Sequence, residues 1–393
     1  MIDVLSYAPA FATPYCGDTS EIASALAAGR LTRTRSLIAD SLAASGAEET
    51  ARAALASVPG SGRAWRPEAG LALKAHRDGS CGLAALQLAL ACAGTGGNGC
   101  LESALDGPEW LYLDGWLTAA AGRCSVRSCG RSIGIDSETG SAEFVISAQN
   151  RWVPAKSVES PWTAYSSGGL APRYVTVSGL RHSVEGFPWI CEKPSGVAAG
   201  HIAIDPGRAD PRIATIHRGW EVVLEHAPVF GFWIASTAEG CLLLDPGEGQ
   251  IAQSGSSFDH PGLIAIEPPD SPVFCGEILV HECSHQQLLI YTMMAPMVKP
   301  GSRETYYSPI KRADRSIDRV LTGAHAVGNI LLYYAALERG MDLDRPARAR
   351  FDQHRAWFTE DYRSALDRSE SLTEAGRALW DSLRNAVDSA MKQ

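Results

Sequence analysis

The sequence predicts an α+β fold: a helical N-terminal region, a mainly antiparallel β middle region and a helical C-terminal region. Three observations carry this. Residues 17–57 are rich in Ala, Leu, Arg and Glu at helical spacing, and the run CGLAALQLALACAGTG over 80–95 reads as a buried helix stopped by a Gly-rich turn. Between about 130 and 270 the texture changes to short β-rich runs separated by Gly, Pro, Asp and Ser. After Pro268-Pro269-Asp270-Ser271-Pro272 the chain returns to helical periodicity and keeps it to the end.

Taken in order, the helical N-terminal region is expected over 1–125, a β-rich substrate-shaping region over 126–272, and a helical metal-binding catalytic region over 273–393. The expected strands are EFVIS, RYVTV, HIAI, RIATI, EVVLEHA, FGFWIAS, GCLLLD and GLIAIE, with hairpin turns at Glu239-Gly240 and Pro246-Gly247. The C-terminal helices are expected at about 276–295, 316–340, 346–365 and 372–391.

At 393 residues, with 45 % hydrophobic and 20 % charged side chains, the chain can bury a large core. A net charge of −9 disfavours nucleic acid as a partner, because phosphates call for a basic footprint. No run of about 20 apolar residues predicts a membrane span, and the N-terminus lacks the basic and apolar segments of a secretion signal. Ten cysteines without tight pairing then read as reduced, mostly buried thiols, and the expected location is cytoplasmic.

The strongest chemical signal is His281-Glu282-Cys283-Ser284-His285. On a helix, positions i and i+4 share a face, so the two imidazoles can grip one metal ion with Glu282 beside it. Apolar residues on both sides, Ile278-Leu279-Val280 and Leu288-Leu289-Ile290, predict a buried helix. Cys283, at i+2, points to another face and is expected to pack.

A catalytic metal site needs a third ligand and open positions. Leu288 and Tyr291 stand where a metzincin carries Gly and His, which excludes that class. Glu304 and Glu338 are nearby carboxylates outside the setting a gluzincin requires. His325 is the remaining candidate. It belongs to a polar stripe of Thr322, His325, Asn329 and Tyr333 on an otherwise apolar helix. Such a stripe must satisfy its hydrogen bonds somewhere. It either faces the metal or bonds within the core. Just upstream, Arg312, Arg315 and Arg319 offer planar forks for a carboxylate, or form a solvated turn. Tyr306 and Tyr307 either line the same pocket or pack.

Four elements in this order, HECSH at 281–285, Tyr307-Ser308-Pro309, Asp314-Arg315 and Gly323-Ala324-His325, resemble a known family. It is the HExxH-motif proteins of bacterial peptide natural-product clusters, described as 2-oxoglutarate-dependent peptide β-hydroxylases. The resemblance covers roughly residues 275–345. The chain departs from the family at Ile310, where an aromatic is usual, at Ser316, where Pro often follows the Arg, and at Thr322, often His.

The resemblance implies a non-haem Fe(II) enzyme with 2-oxoglutarate as cosubstrate. Iron would be held by His281, His285 and His325. Arg315, with Arg312, would clamp a cosubstrate carboxylate, with Tyr307 and Asn329 in the same pocket. Glu282 would act beside the metal. The substrate would be a peptide or amino-acid derivative, ribosomally made or carrier-bound, hydroxylated at a C–H bond, in particular the β-carbon. The motif alone favours a zinc metallopeptidase with Glu282 as general base; the downstream Tyr-Ser-Pro, Arg and His elements reverse that preference. A noncatalytic binding protein is the third class.

Overall fold

A computed structural model of the chain describes residues 3–47, 49, 50, 52, 65–93, 99–113, 116–138, 140–146, 152–155, 173–176, 211–238, 240–243 and 254–392. The fold is α+β, with a helical N-terminus, antiparallel pairing in the middle and a helical C-terminus. The chain divides into two compact units. One comprises Met1–Ala23, Asp210–Thr237 and Pro268–Gln393; the other comprises Ser24–Ala209 and Ala238–Glu267.

The second unit holds most of α2 (Ser20–Ala44), then α3 (Pro67–Arg77) and α4 (Cys81–Cys92). Five antiparallel strands follow in sequence order: β1 (Gly99–Leu113), β2 (Trp116–Cys129), β3 (Ser132–Ser137), β4 (Gly140–Ile146) and β5 (Trp152–Pro154). Gln87 of α4 fastens helix to sheet. Its amide donates to the Tyr112 carbonyl at 2.7 Å and accepts from the Tyr112 amide at 3.1 Å. A second sheet has the order β6 (Arg173–Thr176), β7 (Gly240–Leu243), β9 (Leu263–Ile266), β8 (Ser254–Ser256). Its β6–β7 and β7–β9 pairs are parallel.

The structure corrects several segment assignments. Residues 99–113 and 116–125, expected in the helical region, are strand. Ala119-Ala120-Ala121 favours a helix locally, but Cys124 and Val126 are buried and alternate with more exposed neighbours, so the period of two wins. RIATI, EVVLEHA and FGFWIAS, expected as strands, form α5 (Pro211–His226) and α6 (Pro228–Thr237). The reason is visible in the spacing. Ile216, Trp220, Val223 and Ala227 are buried, following i, i+4, i+7 and i+11. Gly240 opens a strand with parallel neighbours instead of closing a hairpin. The HIAI run and Pro246-Gly247 lie outside the described residues.

The first unit is built on α7 (Pro272–Thr292) and α8 (Ile317–Gly340). Pro272 sits in the first turn of α7, where a missing N–H costs nothing, and its fixed φ starts the helix. Gly276 lets α8 come close: a Cβ there would lie 2.4 Å from the Tyr333 hydroxyl. That hydroxyl donates to the Val273 carbonyl at 3.0 Å. A short hairpin, β10 (Thr305–Ser308) and β11 (Ala313–Ser316), joins the two helices. After α8 come α9 (Arg345–Ala356), a π-helical segment Trp357–Tyr362, α10 (Arg363–Arg368) and α11 (Glu374–Ala390). Helix α11 packs on α8 and on α1 (Val4–Ala12). Helix α8 is the one described helix long and apolar enough to cross a membrane, and 89 % of its most apolar stretch is buried in the protein.

Candidate metal centre

Helix α7 is buried on nearly every side around the His-Glu-x-x-His motif. Its neighbours Ile278, Leu279, Val280, Cys283, Ser284, Gln286, Gln287 and Leu288 are all buried. His281, His285 and Leu289, spaced i, i+4, i+8, form the one partly open line along this stretch. The two imidazoles are therefore the partly exposed side chains of an otherwise buried stretch.

The two rings meet edge to face, with Nε2 atoms 3.1 Å apart. Two nitrogens each about 2.1 Å from one metal ion, at this separation, subtend an angle of about 95° at the metal. The pair thus fits as a chelate for a divalent transition metal. Glu282, 1 % exposed, brings Oε1 to 3.9 Å from Nε2 of His281.

Burial lowers the pKa of His281 to about 4 and that of His285 to about 3. Neighbouring groups add to this: His354, Arg350 and Lys311 act on His281 against the charge of Glu277, and His281, His325 and Arg319 act on His285 against that of Glu282. His281 keeps 24 % of its side chain exposed. Both rings are neutral at pH 7, the state a metal requires. Burial also raises the Cys283 thiol, which stays neutral in the core as its place on another face suggests.

His325 is fully buried, and its charge acts on His285. Its Nε2 donates to the Phe11 carbonyl at 2.8 Å. Asn329 donates to the Ala12 carbonyl and to the His325 carbonyl, both at 3.0 Å. Phe11 and Ala12 end α1, where the last carbonyls have no partner within their own helix. His325 and Asn329 cap that end from 314 and 317 residues away. The rest of the polar stripe behaves alike: Thr322 donates to the Asp318 carbonyl at 2.8 Å, and Tyr333 to that of Val273. Among the described residues, no group of three or more His, Cys, Asp and Glu surrounds one metal position.

The other sequence candidates separate. Arg312 lies in the β10–β11 turn at φ 50°, exposed. Arg315 stands across from Tyr306, and Tyr307, 48 % exposed, across from Asp314. Arg319 is on α8, 3.8 Å from Asp318. Glu304 is held by Ser369 at 2.6 Å and Tyr306 at 3.3 Å, and Glu338 pairs with Arg348. Neither carboxylate is free to reach the histidines.

Two features escaped the sequence reading. Tyr362, in the π-helical segment, buries its hydroxyl 2.7 Å from where a Cβ on Gly323 would lie. Ser308 is its other neighbour. The Tyr-Ser-Pro and Gly-Ala-His elements therefore meet on one tyrosine. The second feature is Glu277, one turn before His281. This buried carboxylate accepts from Tyr334 at 2.6 Å, Arg350 at 2.8 and 2.9 Å, and His354 at 3.1 Å. Its trace in the sequence is a lone acid in an apolar run, with Arg350 and His354 at i, i+4 spacing downstream.

No protein-family model matches the chain, and no curated protein matches it.

Proposed function

We propose that the chain is a metal-dependent enzyme whose ion is held by His281 and His285. In this reading it is a non-haem Fe(II) oxygenase that uses 2-oxoglutarate and hydroxylates a C–H bond, in particular the β-carbon, of a residue in a peptide or peptide-like substrate. The observation that carries the metal site is the 3.1 Å approach of the two Nε2 atoms at a partly open point of a buried helix. Iron with 2-oxoglutarate and O₂ would supply an oxidant strong enough for an unactivated C–H bond.

The residues around the pair suit that use. Arg350, Lys311 and Arg319 all act on the histidines, a positive surrounding that suits a dianionic cosubstrate. Arg319, through its fork, is the stronger candidate for its carboxylate, with Arg315 and Arg312 flanking on the hairpin. Glu282 orients a bound ligand or accepts its proton. His325, whose Nε2 bonds the Phe11 carbonyl, is the third ligand that the family resemblance implies.

The test is anaerobic loading with Fe(II), then exposure to O₂ and 2-oxoglutarate with a candidate peptide. Succinate formation matched by the gain of one oxygen atom on the peptide is the expected result. A second reading has one specific observation in its favour: Glu282 lies close enough to the pair to serve as base for a zinc-activated water. Peptide cleavage by Zn(II)-loaded protein without 2-oxoglutarate would establish that reading instead.

A further inference from the structure

The β10–β11 hairpin is a sheet of two strands, and no third strand among the described residues pairs with it. Its register tells which backbone groups face outward. The Ile317 amide donates to the Glu304 carbonyl at 3.1 Å, so these two residues form a hydrogen-bonded pair. In an antiparallel ladder such pairs alternate with pairs that exchange no bond. Tyr306 with Arg315 and Ser308 with Ala313 are therefore bonded, whereas Thr305 opposite Ser316 and Tyr307 opposite Asp314 are not. The N–H and C=O of Thr305 and Tyr307 point away from β11. Among the described residues, no hydrogen bond takes up these four groups.

The side chains sort in the same rhythm. Glu304, Tyr306, Ser308, Arg315 and Ile317 share one face and are buried or half-buried, while Thr305, Tyr307, Asp314 and Ser316 share the other and are exposed. The inner face is anchored. Glu304 accepts from Ser369 at 2.6 Å and from Tyr306 at 3.3 Å, and the Lys299 amide donates to the Ser371 carbonyl at 2.8 Å. The edge is thus held in strand form before anything binds, which lowers the ordering cost of binding. Exposed edges are commonly blunted by a charge or a proline. The outward positions of β10 carry neither, since Thr305 and Tyr307 are both good strand formers. Charge adds a second, independent feature. On a chain of net charge −9, the segment around the hairpin is cationic: Arg303 stands before β10, and Lys311 and Arg312 follow it in the turn, all exposed.

Resting on the peptide substrate proposed above, we infer that β10 is the strand on which that peptide docks. An extended segment rich in Glu or Asp lies along the open edge and exchanges backbone hydrogen bonds with Thr305 and Tyr307. Its carboxylates meet Arg303 at one end of the strand and Lys311 and Arg312 at the other.

The experiment measures fluorescence anisotropy of a fluorescein-labelled synthetic peptide of alternating Glu and Val, titrated with the full chain. Two comparison peptides are the same sequence N-methylated at every residue and a Lys-Val counterpart. Tyr307→Pro removes the outward N–H and takes no bond from the β10–β11 ladder, which an edge strand tolerates. The Glu-Val peptide should bind wild type, and roughly tenfold more weakly to Tyr307→Pro. Tyr307→Val keeps the N–H and should lose less. The N-methylated and Lys-Val peptides should not compete. No binding of the Glu-Val peptide, equal affinity for Tyr307→Pro, or equal competition by either comparison peptide would overturn the inference. If Tyr307→Pro fails to fold, the N-methylated peptide decides. The measurement needs neither metal nor turnover. Wild-type protein that binds the peptide but no Fe(II) would sink the metal reading alone, and protein that binds Fe(II) but not the peptide would sink this inference alone.

Discussion

His325 Nε2 lies 2.8 Å from the carbonyl oxygen of Phe11, a residue 314 positions earlier in the chain. With the bond from Asn329 to the Ala12 carbonyl, it ties the middle of the α8 polar stripe to the end of α1. Helix α1 ends inside the first unit, so its last carbonyls need donors that water does not supply there.

Replacing His325 by Ala therefore removes a buried donor and leaves a void. The expected cost is about 2–4 kcal/mol of unfolding free energy, read by denaturant titration. Co(II) stoichiometry should stay at one per chain. Loss of Co(II) binding in a variant that is otherwise folded would return His325 to the role of third ligand.

The Glu277 carboxyl is held well down, to about 2, because its hydrogen bonds and the charges of His354 and Arg350 outweigh the opposing effect of burial. A depressed carboxyl contributes stability that is complete above its ordinary value of 4.5 and is lost as pH falls from there toward 2. The buried histidines act in the same direction but earlier. His285 and His260 are both lowered to about 3 by burial, so the unfolded chain takes up protons first as pH drops below about 6.5. The melting temperature should fall in two stages, beginning near pH 6 and steepening below about 4.5. In Glu277→Gln the second stage should be shallower, measured by thermal unfolding between pH 7 and about 2.

Arg319→Gln should raise the apparent KM for 2-oxoglutarate roughly 10- to 100-fold, the worth of a charge-assisted hydrogen bond, with metal binding intact. Arg315→Lys and Arg312→Lys, on the hairpin, should change it less. The comparison is a 2-oxoglutarate titration at equal iron loading. A larger effect from Arg315→Lys than from Arg319→Gln would move the carboxylate to the hairpin.

Gly323→Ala should destabilise by about 1–3 kcal/mol, because its methyl group meets the Tyr362 hydroxyl. Tyr362→Phe removes the colliding atom. The double variant should recover part of the loss, so a double-mutant cycle in denaturant should show coupling. Additive losses would mean that the two residues do not press on each other.

Much of this was legible in the sequence, and the residues show why. His281 and His285 needed only helical periodicity, since their partner positions lie four apart on one element. The α+β class followed from periodicities of 3.6 and 2. His325 was harder: its stripe was visible, but the carbonyls that satisfy it belong to Phe11 and Ala12, and no local pattern points so far along the chain. Residues 212–236 misled because β-branched and aromatic side chains favour strands, while their buried positions follow a helix. Glu277 was passed over because its meaning lies in Tyr334, Arg350 and His354, which only the packing of three helices brings together.

The most direct test of the central claim is an anaerobic equilibrium titration of the full chain with Fe(II), beside His281→Ala and His285→Ala. The account predicts one Fe(II) bound per wild-type chain and none in either variant, with all three proteins folded by circular dichroism. Wild-type protein that binds no metal, or variants that bind it undiminished, would contradict it.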